Sequence, residues 1–295
     1  MPFVTNQKQL QLFFKTMKQA VKSNVFRYLS LALGLLLVAI TAVFSHEFWL
    51  LPEQFFLSVD QNVKVSVEVG EDFTGERWGG GTRRVTALKL HTQTTIKDLT
   101  STVQQDDSGV IAPVLKLEET GTQLLTLATN NSFIELEPEK FLAYLTEDGL
   151  GNAIAYRQKH NETTKKGREL YRRCAKTVLQ VGASYNDLPT KNTGMTLEII
   201  PAKNPYQLVK NQPLTCQFLY EQKPLKNYLV RCWRRINGKT EVEFKKTNVQ
   251  GNATFELVNK GEGNYMVSTV QMVRLANDPK ADWQSTWGSL TFGRQ

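Results

Sequence analysis

From Phe55 the chain alternates. In FFLSVDQNVKVSVEVG, Val59, Val63, Val65, Val67 and Val69 fall on one side and polar residues on the other, the period of a half-buried strand. EDFTGERWGGGTRR interrupts that pattern with glycines and reads as a loop. VTALKLHTQT, GVIAPVLKLEETGTQLLTLATNN and SFIELEP then return to strand-like runs divided by turn residues. The period changes at Pro138, a proline placed for the first turn of a helix with acids beside it in PEKFLAYLTEDGL. GNAIAYRQKH and TTKKGRELYRRCAKTVLQVG carry apolar residues three or four apart, which predicts further helix up to Gly182.

After ASYNDLPTKNTGM the strands resume. TLEIIP, LTCQFLY, YLVRCWRRI, TEVEFKKT, ATFELVN, NYMVSTVQMV and WGSLTF recur at short spacing, as in an immunoglobulin-like β-sandwich. The expected fold is mainly β with a helical segment, an α+β chain. It divides into an N-terminal β domain (46–137), a helical segment (138–182) and a C-terminal immunoglobulin-like sandwich (195–295), preceded by a leader or anchor (1–45).

Composition narrows the class. Apolar content of 41% and charged content of 22% over 295 residues are those of a globular protein. A net charge of +8 invites a nucleic-acid reading, but residues 1–45 hold Lys8, Lys15, Lys18, Lys22 and Arg27 and no acid. That leaves only +3 for the body, too little for a nucleic-acid footprint. No nucleic-acid partner is expected.

The basic segment precedes the uncharged apolar run LSLALGLLLVAI at 29–40, the arrangement of a secretory signal. Cleavage after Ser45 places Val43 and Ser45 at the −3 and −1 positions, whereas cleavage after Ala42 would place bulky Ile40 at −3. Counted from Met17, the leader has ordinary length. The alternative is an uncleaved anchor through Tyr28–Phe44, with the membrane met only there. Either reading exports the body.

HEFWLLP (46–52), VGEDFTGE (69–76), ELEPEKFLAYLTEDGL (135–150) and GRELYRRCAKTVLQVG (167–182) resemble the bacterial DUF4198 family. So do LEIIPAKNPYQL (197–208), LYEQKPLKNYLV (219–230) and DWQSTWGSLTF (282–292), in order along the whole body. The resemblance implies a periplasmic accessory of nickel or cobalt uptake, working with a membrane metal transporter. The body would lie in the periplasm, or face it from the inner membrane. Two positions depart from the family: Gln271 stands where many members have His, and Leu51 where they usually have an acid.

The candidate chemistry begins at His46. As a mature N-terminus it would offer an amine beside its imidazole, a chelate suited to Ni, Co or Cu ions. Two nitrogens need further ligands, and the body has only His91 and His160 besides. Glu47, Glu71 and Asp72 are acids that would complete such a site. The competing reading makes His46 simply the polar start of a strand whose Phe48, Trp49 and Leu50 enter the core.

Cys174, Cys216 and Cys232 show no zinc spacing; a loop at EQKPLKN would set Cys216 opposite Cys232 and permit a bridge in an oxidising compartment. Lys165, Lys166, Arg168, Arg172, Arg173 and Lys176 read as the solvated face of a helix, or as a partner surface. WGGGT lacks the Lys-Ser/Thr of a phosphate loop, and no catalytic triad or HExxH is present. Trp283 and Trp287 read as packing residues. The leading expectation is a non-enzymatic protein that binds or hands over a transition metal; the alternative is a metal-independent adaptor. A copper enzyme built on His46 and His91 is a third.

Overall fold

A computed structural model of the chain describes residues 47–209, 211–257 and 263–295. Its longer elements are, in chain order, β1 (Glu47–Pro52), β2 (Val65–Glu71), β3 (Val85–His91) and β4 (Gly121–Thr129), then helices α1 (Pro138–Glu147) and α2 (Gly151–Lys159). There follow β5 (Gly167–Val181), β6 (Leu197–Pro201), β7 (Leu214–Tyr220), β8 (Leu229–Ile236), β9 (Lys239–Lys246), β10 (Gly263–Arg274) and β11 (Trp283–Arg294).

One large sheet organises these elements, in the order β9-β8-β10-β11-β5-β4-β3 and then Ile96–Asp98. Its centre is the parallel pair β5–β11, from Glu169 opposite Trp283 to Thr177 opposite Thr291. Adjacent residues of each strand point to opposite faces, and both faces are covered. Leu125, Leu127, Ala175 and Leu179 meet Phe48, Leu50, Val65 and Val67 of the small sheet that β1 and β2 begin. Their neighbours Leu124, Cys174 and Val178, with Leu290 and Phe292, meet Leu197, Ile199, Cys216 and Phe218 of the small sheet of β6 and β7. The chain is thus a mainly β protein with helical elements and sandwich packing. Strands from 47–137 and from 195–295 share the large sheet, and His46–Gln295 clusters as one compact unit.

The helical segment is shorter than the sequence predicts. α1 starts at Pro138 as expected and buries Phe141, Tyr144 and Leu145, spaced i, i+3, i+4. Residues 167–181 form the longest strand instead of a helix. The cause is double-sided burial: a central strand needs apolar residues on both faces, so alternation is lost and neighbouring apolar pairs imitate a helical period. Gly167 also fits this strand and not a solvated helix, since a Cβ there would lie 2.1 Å from the Phe141 ring.

The basic run therefore does not form one solvated face. Arg168 pairs with Asp282 at 2.9 Å, Arg173 is half-buried among aromatic rings, and Lys176 is buried against Glu198.

The Cys216–Cys232 bridge that the sequence permits is not formed; all three cysteines are free and buried. β7 and β8 do not close a hairpin on each other, because the chain leaves one sheet and enters the other between them. Trp283 and Trp287 are packing residues, 2% and 8% exposed. Among the described residues no helix is long and apolar enough to cross a membrane. The leader, its cleavage position, the Tyr28–Phe44 anchor and His46 lie outside the described residues.

Candidate functional site

The body begins with a strand laid across the large sheet. β1 pairs with β2 from Glu47 opposite Gly70 to Pro52 opposite Val65. Two hydroxyls of β11 pin it from below: Ser289 Oγ donates to Phe48 O at 2.6 Å, and Thr291 Oγ1 donates to Leu50 O at 2.7 Å. The alternation of β1 points Phe48 and Leu50 into one core cluster, while Trp49 packs with Phe73, Trp233 and Met266 in another. Glu47 is thereby carried inside, 7% exposed.

Three acids are buried in this region. Glu47 is desolvated, and although Arg231 pulls its pKa down, burial with Asp148 and Asp72 nearby lifts it to about 7. Asp148 caps the end of α1, where Arg231 Nη2 meets its Oδ1 at 2.9 Å and donates to Glu147 O at 2.8 Å. Glu169, on β5, is also lifted to about 7, by burial first and by the charge of Asp148.

A hydrogen-bond chain holds Glu169. Trp287 Nε1 donates to Ser285 Oγ at 3.2 Å, Ser285 Oγ donates to Glu169 Oε1, and Tyr144 Oη donates to the same oxygen at 3.2 Å. Tyr144 stacks on Trp287 at 6.1 Å, and its phenol is pushed well above its ordinary pKa by burial and by Glu169. The other oxygen, Oε2, is buried with no partner. A buried carboxyl with one oxygen fully engaged and the other unmet departs from the usual rule that buried polar atoms are paired. Arg231 thus serves two acids, Glu47 and Asp148, and Asp148 acts electrostatically on both Glu47 and Glu169.

Of the residues expected to bear chemistry, Glu47 belongs to this cluster, and Asp72 acts on it from outside. His91 does not. It is buried on β3 with Nε2 3.1 Å from Thr126 Oγ1, and burial with Lys176 and Lys89 nearby lowers its pKa. Two lysines beside the ring would repel a metal cation. His160 is exposed and stacks on Tyr156 at 4.1 Å. Gln271 lies opposite Thr286, on the other face of the sheet from Ser285 and Trp287. A histidine there would not face Glu169. Among the described residues no three His, Cys, Asp or Glu side chains come together as a metal site.

Asp148, Glu169, Tyr144 and Arg231 were not legible as site residues. Glu169 sits in the run that reads as a helix, and Arg231 is one of many basic residues in YLVRCWRRI. The one available signal was Ser285 and Trp287 flanking a strand centre, which only the pairing of β5 with β11 turns into contacts.

The family description "Domain of unknown function (DUF4198)" matches residues 43–272. The chain belongs to the DUF4198 family. The match begins just ahead of β1 and runs through most of β10, so it takes in Glu47, Asp148, Glu169 and Arg231. No curated protein matches the sequence. Among solved structures, a DUF4785 family protein from Legionella pneumophila is similar at 9% identity and a TM-score of 0.25, over 74% of this chain and 52% of that one. The chain therefore spans about half the length of that protein. The D0-D1 domain of Intimin is similar at 13% identity and a TM-score of 0.21, over 82% of this chain and 96% of that one. At these TM-scores neither informs the function.

Proposed function

We propose that this DUF4198 protein is an exported, non-enzymatic carrier that binds a divalent transition-metal ion as cargo, nickel or cobalt in the family's case, and passes it to a membrane transporter. His46, freed as an N-terminus, supplies an amine and an imidazole. The observation that supports this reading is the buried acid excess that starts at the very next residue: Glu47 and Asp148 meet the guanidinium of Arg231, Glu169 feels the charge of Asp148, and one oxygen of Glu169 is unmet. An incoming cation offsets that excess, which protons otherwise offset at neutral pH.

A second reading is a metal-independent β-sandwich adaptor, tethered by the N-terminal segment. It is favoured by the lack of a three-ligand cluster among the described residues. The two part at the N-terminus. The exported protein, expressed with its own leader, is expected to begin at His46 when its N-terminal peptide is measured by mass spectrometry. Such material is then expected to retain one equivalent of Ni²⁺, Co²⁺ or Cu²⁺ on dialysis, and His46→Ala to lose it. An intact N-terminus, or equal retention by the variant, would move the reading to the adaptor.

A further inference from the structure

A second charged feature, unrelated to the acid cluster, lies where β5 passes under the glycine loop. Arg173 is half-buried on β5, its backbone N–H donating to Thr129 Oγ1 at 3.0 Å. Its guanidinium carbon lies 5.0 Å from the Phe48 ring, 5.8 Å from Trp78 and 5.0 Å from Tyr171. Phe48 and Trp78 meet edge to face at 5.2 Å, so these walls are fixed to one another. The Arg173 Nε is buried with no acceptor.

A second guanidinium acts on Arg173. Arg84 is half-buried, and its Nη1 donates to Ser132 Oγ, whose residue is the register partner of Tyr171. Burial depresses the Arg173 pKa; Tyr171 opposes that shift and the like charge of Arg84 adds to it. Among the described residues neither arginine is paired with a carboxylate. Enclosed cations are normally paired, because an uncompensated charge taken from water costs several kcal/mol. Aromatic faces return part of that cost, but they offer the guanidinium no acceptor oxygen.

The loop above is shaped for close approach. A Cβ on Gly80 would fall 2.1 Å from the Trp78 ring, and Gly81 has a φ of 85°. Glycine at these two positions lets the chain turn tightly over Trp78 before it reaches Arg83 and Arg84.

We propose that Arg173 and Arg84 form a binding site for an oxyanion, a carboxylate or phosphate group, walled by Trp78 and Tyr171. Guanidinium groups accept such planar or tetrahedral anions through paired N–H donors. The aromatic walls favour an anion carried on a ring or another flat apolar group.

Calorimetric titration of the body with inorganic phosphate, acetate and benzoate tests the site. Saturable binding of at least one anion is expected, and Arg84→Gln weakens it by about tenfold, the loss of one charged hydrogen bond. Arg83→Gln, at the exposed neighbour, leaves it unchanged. Preference for phosphate identifies a phosphate ligand; preference for benzoate over acetate identifies an aromatic carboxylate. Arg84 is the informative position because it lies outside the core clusters, and an unchanged melting temperature verifies that Arg84→Gln is folded. No saturable binding of any of the three anions, or equal affinity in the folded Arg84→Gln variant, would overturn the proposal.

Discussion

Glu169 concentrates the chemistry of the acid cluster in one side chain. Its pKa lies at about 7 in the folded protein against an ordinary 4.5, because burial outweighs the hydrogen bonds from Ser285 and Tyr144. A raised carboxyl binds its proton more tightly when folded. Its contribution to stability is therefore complete below about 4.5 and is lost as pH rises to about 7. Glu169→Gln keeps the shape and removes the charge. The variant is expected to melt higher than the parent near pH 8 and about equally near pH 5, read by thermal unfolding at each pH. A parallel shift at both would show that the carboxyl does not ionise in this range. The sequence offered Glu47 beside the expected cleavage point as a nearby acid, and that residue is in the cluster. It gave no sign of Glu169, whose partner Ser285 lies 116 residues further along the chain on another strand.

At the scale of elements, β5 decides both the successes and the error. The alternating runs before Pro138 and after Met195 were legible because those strands have one polar side or sharp turns between them. α1 was legible from its proline and its apolar spacing. β5 was not, since Cys174 and Val178 serve one core while Ala175, Leu179 and Val181 serve the other. The same strand hides the most deeply buried ion pair among the described residues. Lys176, 1% exposed, meets Glu198 of β6, and Glu198 also accepts the N–H groups of Thr193 at 3.2 Å and Met195 at 2.8 Å. Burial lowers the Lys176 pKa while Glu198 opposes that shift. Lys176→Met leaves Glu198 buried without its cation and is expected to cost about 3 kcal/mol, measured by urea unfolding. An unchanged midpoint would mean that the hydrogen bonds to the 193–195 loop satisfy Glu198 alone.

Across the whole molecule, the large sheet joins sequence-distant segments that a linear reading divides into successive domains. Pairing of β5 with β11 brings Glu169 to Ser285, and the seating of β1 on β11 brings Glu47 to the same region. The same topology separates Cys216 from Cys232 into facing sheets and raises their thiol pKa values through burial. The native protein is expected to resist a thiol reagent and to release three reactive thiols in denaturant. A count of one in denaturant would reveal a bridge.

The central claim, that cargo metal is taken up at a freed N-terminal histidine beside a buried acid excess, reduces to one comparison. Two forms of the body are titrated with Ni²⁺ by calorimetry, one beginning at His46 and one retaining Ser45 ahead of it. The account predicts one equivalent bound by the first form and loss of that binding in the second, where the histidine amine has become an amide. Equal binding by both forms, or none by either, would contradict it.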